Sequence, residues 1–169
     1  MSDTDQAQGQ QGPQLQILAQ YIKDASFENP NAPASLRGGQ SQPQIDVSVD
    51  VGLQQVDQDI NEVALRIEAK AERDGNVMFL VELVYAGLFR FQGIPDNELQ
   101  PFLMIEAPRM IFPYARNVLS DLVRDGGFPP LMLDPIDFSG LYRKRLAEQA
   151  AQATGQTNGD GGNGGGEAA

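Results

Sequence analysis

The chain has 169 residues, 41% of them hydrophobic, which suits one domain with its own core. It contains no cysteine and no histidine, which removes disulfides, thiolate catalysis, zinc–sulfur sites and the commonest general base. A formal net charge of −11 argues against nucleic acid as a partner, because phosphate binding needs patches of Lys and Arg.

The charge is uneven. Residues 1–62 carry nine acids and two bases, whereas residues 101–149 carry six of each. One negative surface, suited to a basic partner, is therefore expected from the first half. No run approaches the roughly 20 apolar residues that span a bilayer, so no membrane insertion is expected. The start, "MSDTDQAQGQQGPQ", is polar and acidic rather than basic and then apolar, and a cytoplasmic location is the expectation.

In chain order, residues 1–13 are rich in Gln and Gly and are expected to be disordered, ahead of a domain over residues 14–152. In "YIKDASFENPNAP", residues 21–33, the prolines and asparagines argue for an extended segment around residues 15–28. Period two then puts Asp24, Ser26 and Glu28 on one face and Lys23, Ala25 and Phe27 on the other. The next strand signal, "IDVSVDVGLQ", alternates cleanly: Ile45, Val47, Val49, Val51 and Leu53 face one way and Asp46, Ser48 and Asp50 the other. Residues 60–73 fit a helix on propensity but also alternate, and they end at the turn signal "RDGN" before a run rich in β-formers. A hairpin explains all of this, giving four antiparallel strands.

After "GIPD" the period becomes helical. Asp96 is the expected N-cap of "NELQPFLMIEA", and Pro108 is expected to stop or kink that helix. A second stripe of Ala115, Val118, Leu119 and Leu122 closes at Gly126–Gly127, and a last helix is capped by Asp137. From residue 153 the chain becomes a Gly-rich tail expected to be disordered. Strands first and helices after predict an α+β domain with helices on one face of a four-stranded antiparallel sheet.

The chemical candidates are weak. The tail holds a formal GxGxxG at Gly159–Gly164, without the strand and helix a dinucleotide site needs. Asp57, Asp59 and Glu62 could offer oxygen ligands to a cation, but no glycine supplies the turn of a calcium loop, and a solvated connection is the better reading. Asp24 and Glu28 as a general-acid pair would need one member buried, and a polar strand face does not provide that. No catalytic residue, metal or cofactor is expected.

The apolar surplus says more. Val77 to Phe91 has apolar residues on both faces: Phe79, Val81, Leu83 and Tyr85 on one, Met78, Leu80, Val84, Ala86 and Leu88 on the other. A central strand buried on both faces would explain this. An exposed apolar strip around Glu82, made for a partner, explains it better, because the other strands have polar outer faces. "LQPFLMIEAPRMIFPYA" is likewise denser in Phe, Met and Leu than one small sheet is expected to bury, which predicts subunit contacts or a groove.

These segments, with "GLFRFQGI", "IFPYARNVLSDLVRDGGFPPLMLDPIDF" and "LYRKRL", are similar to those of the bacterial protein-export chaperone family SecB, from about Leu15 to Gln149. The resemblance implies a homotetramer, a dimer of dimers, with helices sandwiched between sheet layers. It implies ATP-independent binding of unfolded preproteins and their delivery to the translocase ATPase SecA, whose basic, zinc-binding C-terminal tail docks on the outer sheet face. The positions matching that docking surface are Asp24, Glu28, Leu80 and Glu82. Those matching the substrate groove beside the second strand are Ile45, Val47 and Val49. The crossover "SLRGGQSQPQ" departs from the family pattern in being glycine-rich and lacking tryptophan. The alternative within the same fold is a general holdase with another delivery partner, for example an antitoxin-linked one.

Overall fold

The computed structural model describes residues 12–156. Four long strands, β1 (Gln14–Glu28), β2 (Gln44–Asp57), β3 (Ile60–Arg73) and β4 (Asn76–Gln92), precede two helices, α1 (Asp96–Asp125) and α2 (Phe138–Gln156). All pairings are antiparallel and the strand order is β1-β4-β3-β2, so β1 and β2 are the edges. Residues 29–43, with a short 3-10 turn at Ala34–Leu36, carry the chain from one edge of the sheet to the other. The expected α+β architecture is the observed one.

The β3–β4 hairpin turns on Asp74 (φ 52°) and Gly75 (φ 77°). A two-residue turn with both φ positive matches the twist of the strands it joins, which is why "DG" is read as a hairpin signal. Alternation fixes the faces. Val63, Leu65, Ile67, Val81, Leu83 and Phe89 are buried and share one cluster with Leu103, Ile111 and Leu119 of α1. The opposite face, which we call outer, carries Glu62, Arg66, Glu68, Leu80, Glu82 and Val84.

Period two fails at bulges. A register shift at Ala71/Glu72 makes Met78 the extra residue of β4, and Met78, expected on the outer face beside Leu80, is buried in the core cluster instead. A second shift between Ile22 and Asp24 re-aims Lys23. Its ammonium lies 2.7 Å from the Glu62 carboxylate, on the outer side rather than with Ala25 and Phe27.

Helix α1 corrects two expectations. Its N-cap is Pro95, which makes no side-chain cap, and Asp96 is the first helical residue. Asp96 and Glu98 still favour the helix start by placing negative charge on the free N–H groups. Nor does Pro108 break the helix, which runs unbroken through Pro101, Pro108 and Pro113. Each proline removes a backbone hydrogen bond. Against that, every fourth residue from Leu103 through Ala107, Ile111, Ala115 and Leu119 to Val123 is buried against the sheet, and tertiary burial decides helix stability more than local propensity. Pro108 is itself among the fully buried side chains.

Most of the Phe/Met/Leu surplus of α1 goes into this chain's own core. Met104, Ile111 and Phe112 are buried, and Met110 and Tyr114 are the large hydrophobic residues of that stretch left exposed. Helix α2 starts as expected, with the Gly140 N–H donating to Asp137 Oδ1 at 3.0 Å. It continues through Thr154 to Gln156, into the segment expected to be disordered. Residues 1–11 and the rest of the tail, including Gly159–Gly164, lie outside the described residues.

Candidate functional site: an acidic trough and a cleft on opposite faces of the sheet

The outer face is crossed by a shallow trough that touches all four strands. Ser26 and Glu28 of β1, Leu80 and Glu82 of β4, Glu68 and Lys70 of β3, and Asp46 and Ser48 of β2 line it. Register explains the assembly: Glu28 pairs with Leu80, Ser26 with Glu82, and Asp24 with Val84. Successive outward positions of two neighbouring strands therefore meet on one face. Glu28, Leu80 and Glu82 fall in the trough. Asp24 lines the adjoining concavity with Lys23, Asp50, Glu62, Arg66 and Val84.

Charge on this face is partly internal. Arg66 pairs with Glu82, Lys70 with Glu72, and Lys23 with Glu62. Among the described residues, Asp24, Glu28, Asp46 and Asp50 enter no ion pair. Their charge is open to a ligand. Leu80, Val84 and Leu88 are half-buried by the flanking strands, so the apolar strip is a shallow floor rather than a projecting ridge.

Tyr21, Glu62 and Lys23 form a polar knot here. Tyr21 donates to Glu62 Oε2 and Lys23 donates to Oε1. The Lys23 bond first, and the Tyr21 bond second, hold the Glu62 carboxyl below its usual range against the opposing effect of burial. Burial, reinforced by Glu62, pushes the Tyr21 hydroxyl up to about 12. The three acids considered for a cation go separate ways: Glu62 into this knot, Asp59 onto Arg90 at 3.3 Å, and Asp57 onto the Gln58 N–H at 2.8 Å. Asp24 and Glu28 are both exposed, without the burial a carboxylate acid requires.

The second surface is on the helix side. Along β2 the cover given by α1 fades: Val51 is buried, Val49 half-buried, and Val47 and Ile45 are 43% and 39% exposed. Val49 and Val51 form one wall of a cleft whose other walls are Met104 of α1 and Leu141, Tyr142 and Arg145 of α2. Arg145 closes across it by donating to the Val51 carbonyl at 2.8 Å. Ile45 and Val47 lie on the same strand beyond the cleft. Sequence reasoning missed Met104, Leu141, Tyr142 and Arg145, although the spacing of Leu141, Arg145 and Glu148 is a helical face legible in "LYRKRLAE".

The crossover is fastened to the β3–β4 turn. Arg73 Nη2 donates to the Arg37 carbonyl at 2.7 Å, and Ser41 Oγ donates to Asp74 at 2.8 Å. A Cβ at Gly39 would lie 2.8 Å from Arg73 Nε, so the glycine leaves room for the guanidinium. Among the described residues no helix is long and apolar enough to cross a membrane.

Comparison with known proteins follows the same lines. The sequence is 56% identical over 152 residues to a protein of Maricaulis maris named Protein-export protein SecB, covering 89% of this chain and 88% of that one. It is 54% identical over 140 residues to the protein of that name from Rhodopseudomonas palustris, covering 83% and 89%. The fold resembles the SecB-like chaperone of Mycobacterium tuberculosis, solved in complex with a ChAD peptide from the HigA1 antitoxin. There the TM-score is 0.60 at 17% identity, over 72% of this chain and 90% of that one. Residues 8–149 match the family described as Preprotein translocase subunit SecB, and the chain belongs to that family.

Proposed function

We propose that this protein is a cytoplasmic, non-enzymatic export chaperone. It binds unfolded preproteins without ATP, keeps them translocation-competent and delivers them to SecA. The observation that carries the reading is the presence of two open surfaces on opposite faces of one sheet, an acidic trough and an apolar strand edge beside a cleft. Delivery requires holding a client and a receiver at once, and separate faces allow it.

Unfolded chains bind along β2 at Ile45, Val47 and Val49, where apolar side chains stand open beside the cleft. A holdase that binds the unfolded state and not the native one draws the folding equilibrium by mass action, so slow-folding clients are held and fast ones escape. SecA docks on the outer face. Asp24, Glu28 and Glu82 surround Leu80 and give a basic tail both charge and an apolar contact. The chain works as a homotetramer, a dimer of dimers, supported by the exposure of Met110 and Tyr114 on the helical side. Light scattering should give about four times the 18.3 kDa chain mass.

A general holdase with an antitoxin-linked partner is not favoured. The relatives at 54–56% identity are named protein-export proteins, whereas the antitoxin-bound chaperone, at 17%, speaks for the fold alone. The test is refolding of a slow-folding preprotein with excess chaperone and no nucleotide. Retarded refolding is expected, and an unchanged rate would sink the reading.

A further inference from the structure

Arg66 stands in the middle of the acidic outer face. It projects from β3 with its side chain 52% exposed, and its guanidinium pairs with Glu82 while lying 3.9 Å from Glu68. Register gives the reason for that geometry. Glu68 and Glu82 are direct cross-strand partners, and like charges set opposite each other on one face repel. Arg66, one outward position along β3, relieves both. The other cations nearby are taken, Lys70 by Glu72 and Lys23 by Glu62.

Arg66 also has somewhere else to go. Its direct partner across the β2 side is Asp50, which lines the same concavity and enters no ion pair among the described residues. A half-exposed arginine can exchange one carboxylate for another by rotating its side chain, at little cost for an exposed pair.

We propose that Arg66 is a built-in competitor that sets the affinity and selectivity of the acidic trough: a docking basic segment must take Glu82 from it, and Arg66 then moves to Asp50. The inference rests on the docking reading above. It makes the trough selective. At Glu82 a ligand bringing charge alone must first displace Arg66, so its gain falls mainly to the unpaired Glu28 and Asp24, and contact with Leu80 adds what charge does not. Basic segments without an apolar residue then bind more weakly than those that carry one.

The experiment is calorimetric titration of the full-length protein with a short synthetic peptide rich in Lys and Arg with interspersed leucines. The proteins compared are the unmodified one, Arg66→Gln, Lys70→Gln, Glu82→Gln and the Arg66→Gln/Glu82→Gln double variant. Arg66→Gln should tighten binding about three- to fivefold, the scale of one exposed ion pair. Lys70→Gln makes the same change in net charge and should give a clearly smaller gain. The Arg66→Gln gain should vanish in the Glu82→Gln background. A gain that survives there, or one matched by Lys70→Gln, is a through-space charge effect and overturns the competition. Weaker binding on Glu82→Gln with no gain on Arg66→Gln overturns the competition and leaves the docking site standing. Unchanged binding on Glu82→Gln overturns both. Should Arg66→Gln fail to fold because Glu68 and Glu82 are left facing each other, Arg66→Lys keeps the charge but loses the planar guanidinium. It should still bind more tightly than the unmodified protein, and equal or weaker binding counts against the proposal.

Discussion

The phenyl ring of Phe27, near the end of β1, lies where a Cβ on Gly126 would have to be. That ring stacks on Phe79 of β4 with centroids 5.7 Å apart, and Phe128, just past α1, sits 5.0 Å from Phe79. The three rings join the end of the edge strand to the end of the long helix. Gly126 has φ −72°, so it is present for space, while Gly127, at φ 92°, carries the left-handed backbone that ends the helix. Gly126→Ala should therefore act by overpacking, at about 1–3 kcal/mol. Gly38, where a Cβ would meet nothing within 4 Å, is the matched control and should accept Ala without loss. Thermal unfolding of the two variants side by side checks this. Equal midpoints would mean that the Phe27 ring yields freely.

The Tyr21–Glu62–Lys23 knot should make stability pH-dependent at both ends. Its folded-state carboxyl is held below the ordinary 4.5 by Lys23 and then Tyr21. A depressed acid adds stability that is present above its unfolded value and lost as pH falls through the folded one. The Tyr21 hydroxyl is raised from 10.0 to about 12, so its contribution is present below pH 10 and lost as pH rises through 12. The stability advantage of the unmodified protein over Glu62→Gln should be level between these limits and shrink below about pH 4.5. Midpoints measured across acid pH decide it. A gap that stays constant through that range would show that ionisation of Glu62 is not the source.

Much of this architecture is legible in the sequence, for reasons that also explain the misses. Alternation in Ile45 to Leu53 and the "DG" turn at Asp74–Gly75 are local signals, and the sheet follows from them. Met78 and Lys23 lie on the sides opposite to those that alternation predicts, because a bulge adds one residue to one strand and only the pairing reveals it. Pro108 misleads because the cost of a proline is local, whereas the burial of Leu103 to Val123 that outweighs it is tertiary. The docking and groove positions come from family resemblance. The pairing of Arg66 with Glu82 depends on the register of β3 against β4, which no spacing within either strand encodes.

The crossover should be released by removing its anchor. Arg73→Ala deletes the bond to the Arg37 carbonyl and leaves two ties, Ser41 on Asp74 and the Asn31 amide on the Val77 carbonyl. Arg37 is a tryptic site within that segment, and proteases cut where the chain opens locally. Cleavage after Arg37 should be severalfold faster in Arg73→Ala, read from fragment masses under native conditions. A similar increase should not appear in Arg109→Ala, whose partner is Glu106 on its own helix. An unchanged rate would mean that the other ties hold the crossover without Arg73.

The sharpest test separates the two faces. Glu82 looks outward from β4, whereas Val47 looks to the helix side from β2, so one substitution on each should strike one partner only. Glu82→Lys sets like charge against a basic tail and removes the carboxylate that tail would take. Affinity for SecA should fall by at least about tenfold, the range in which facing like charges act at interfaces. Val47→Asp puts a charge among the open apolar side chains of β2 and should weaken capture of an unfolded preprotein while leaving SecA binding intact. Neither residue is in the buried core, so both variants should lose little stability. Because exposed charges are screened over roughly 8 Å at physiological salt, SecA binding should also weaken as salt rises, and client capture should hold. Four titrations, each variant against each partner, give the answer. The expected pattern is two losses on the diagonal. If either substitution weakens both partners, or Glu82→Lys leaves SecA affinity unchanged, the client and the receiver do not occupy opposite faces of this sheet.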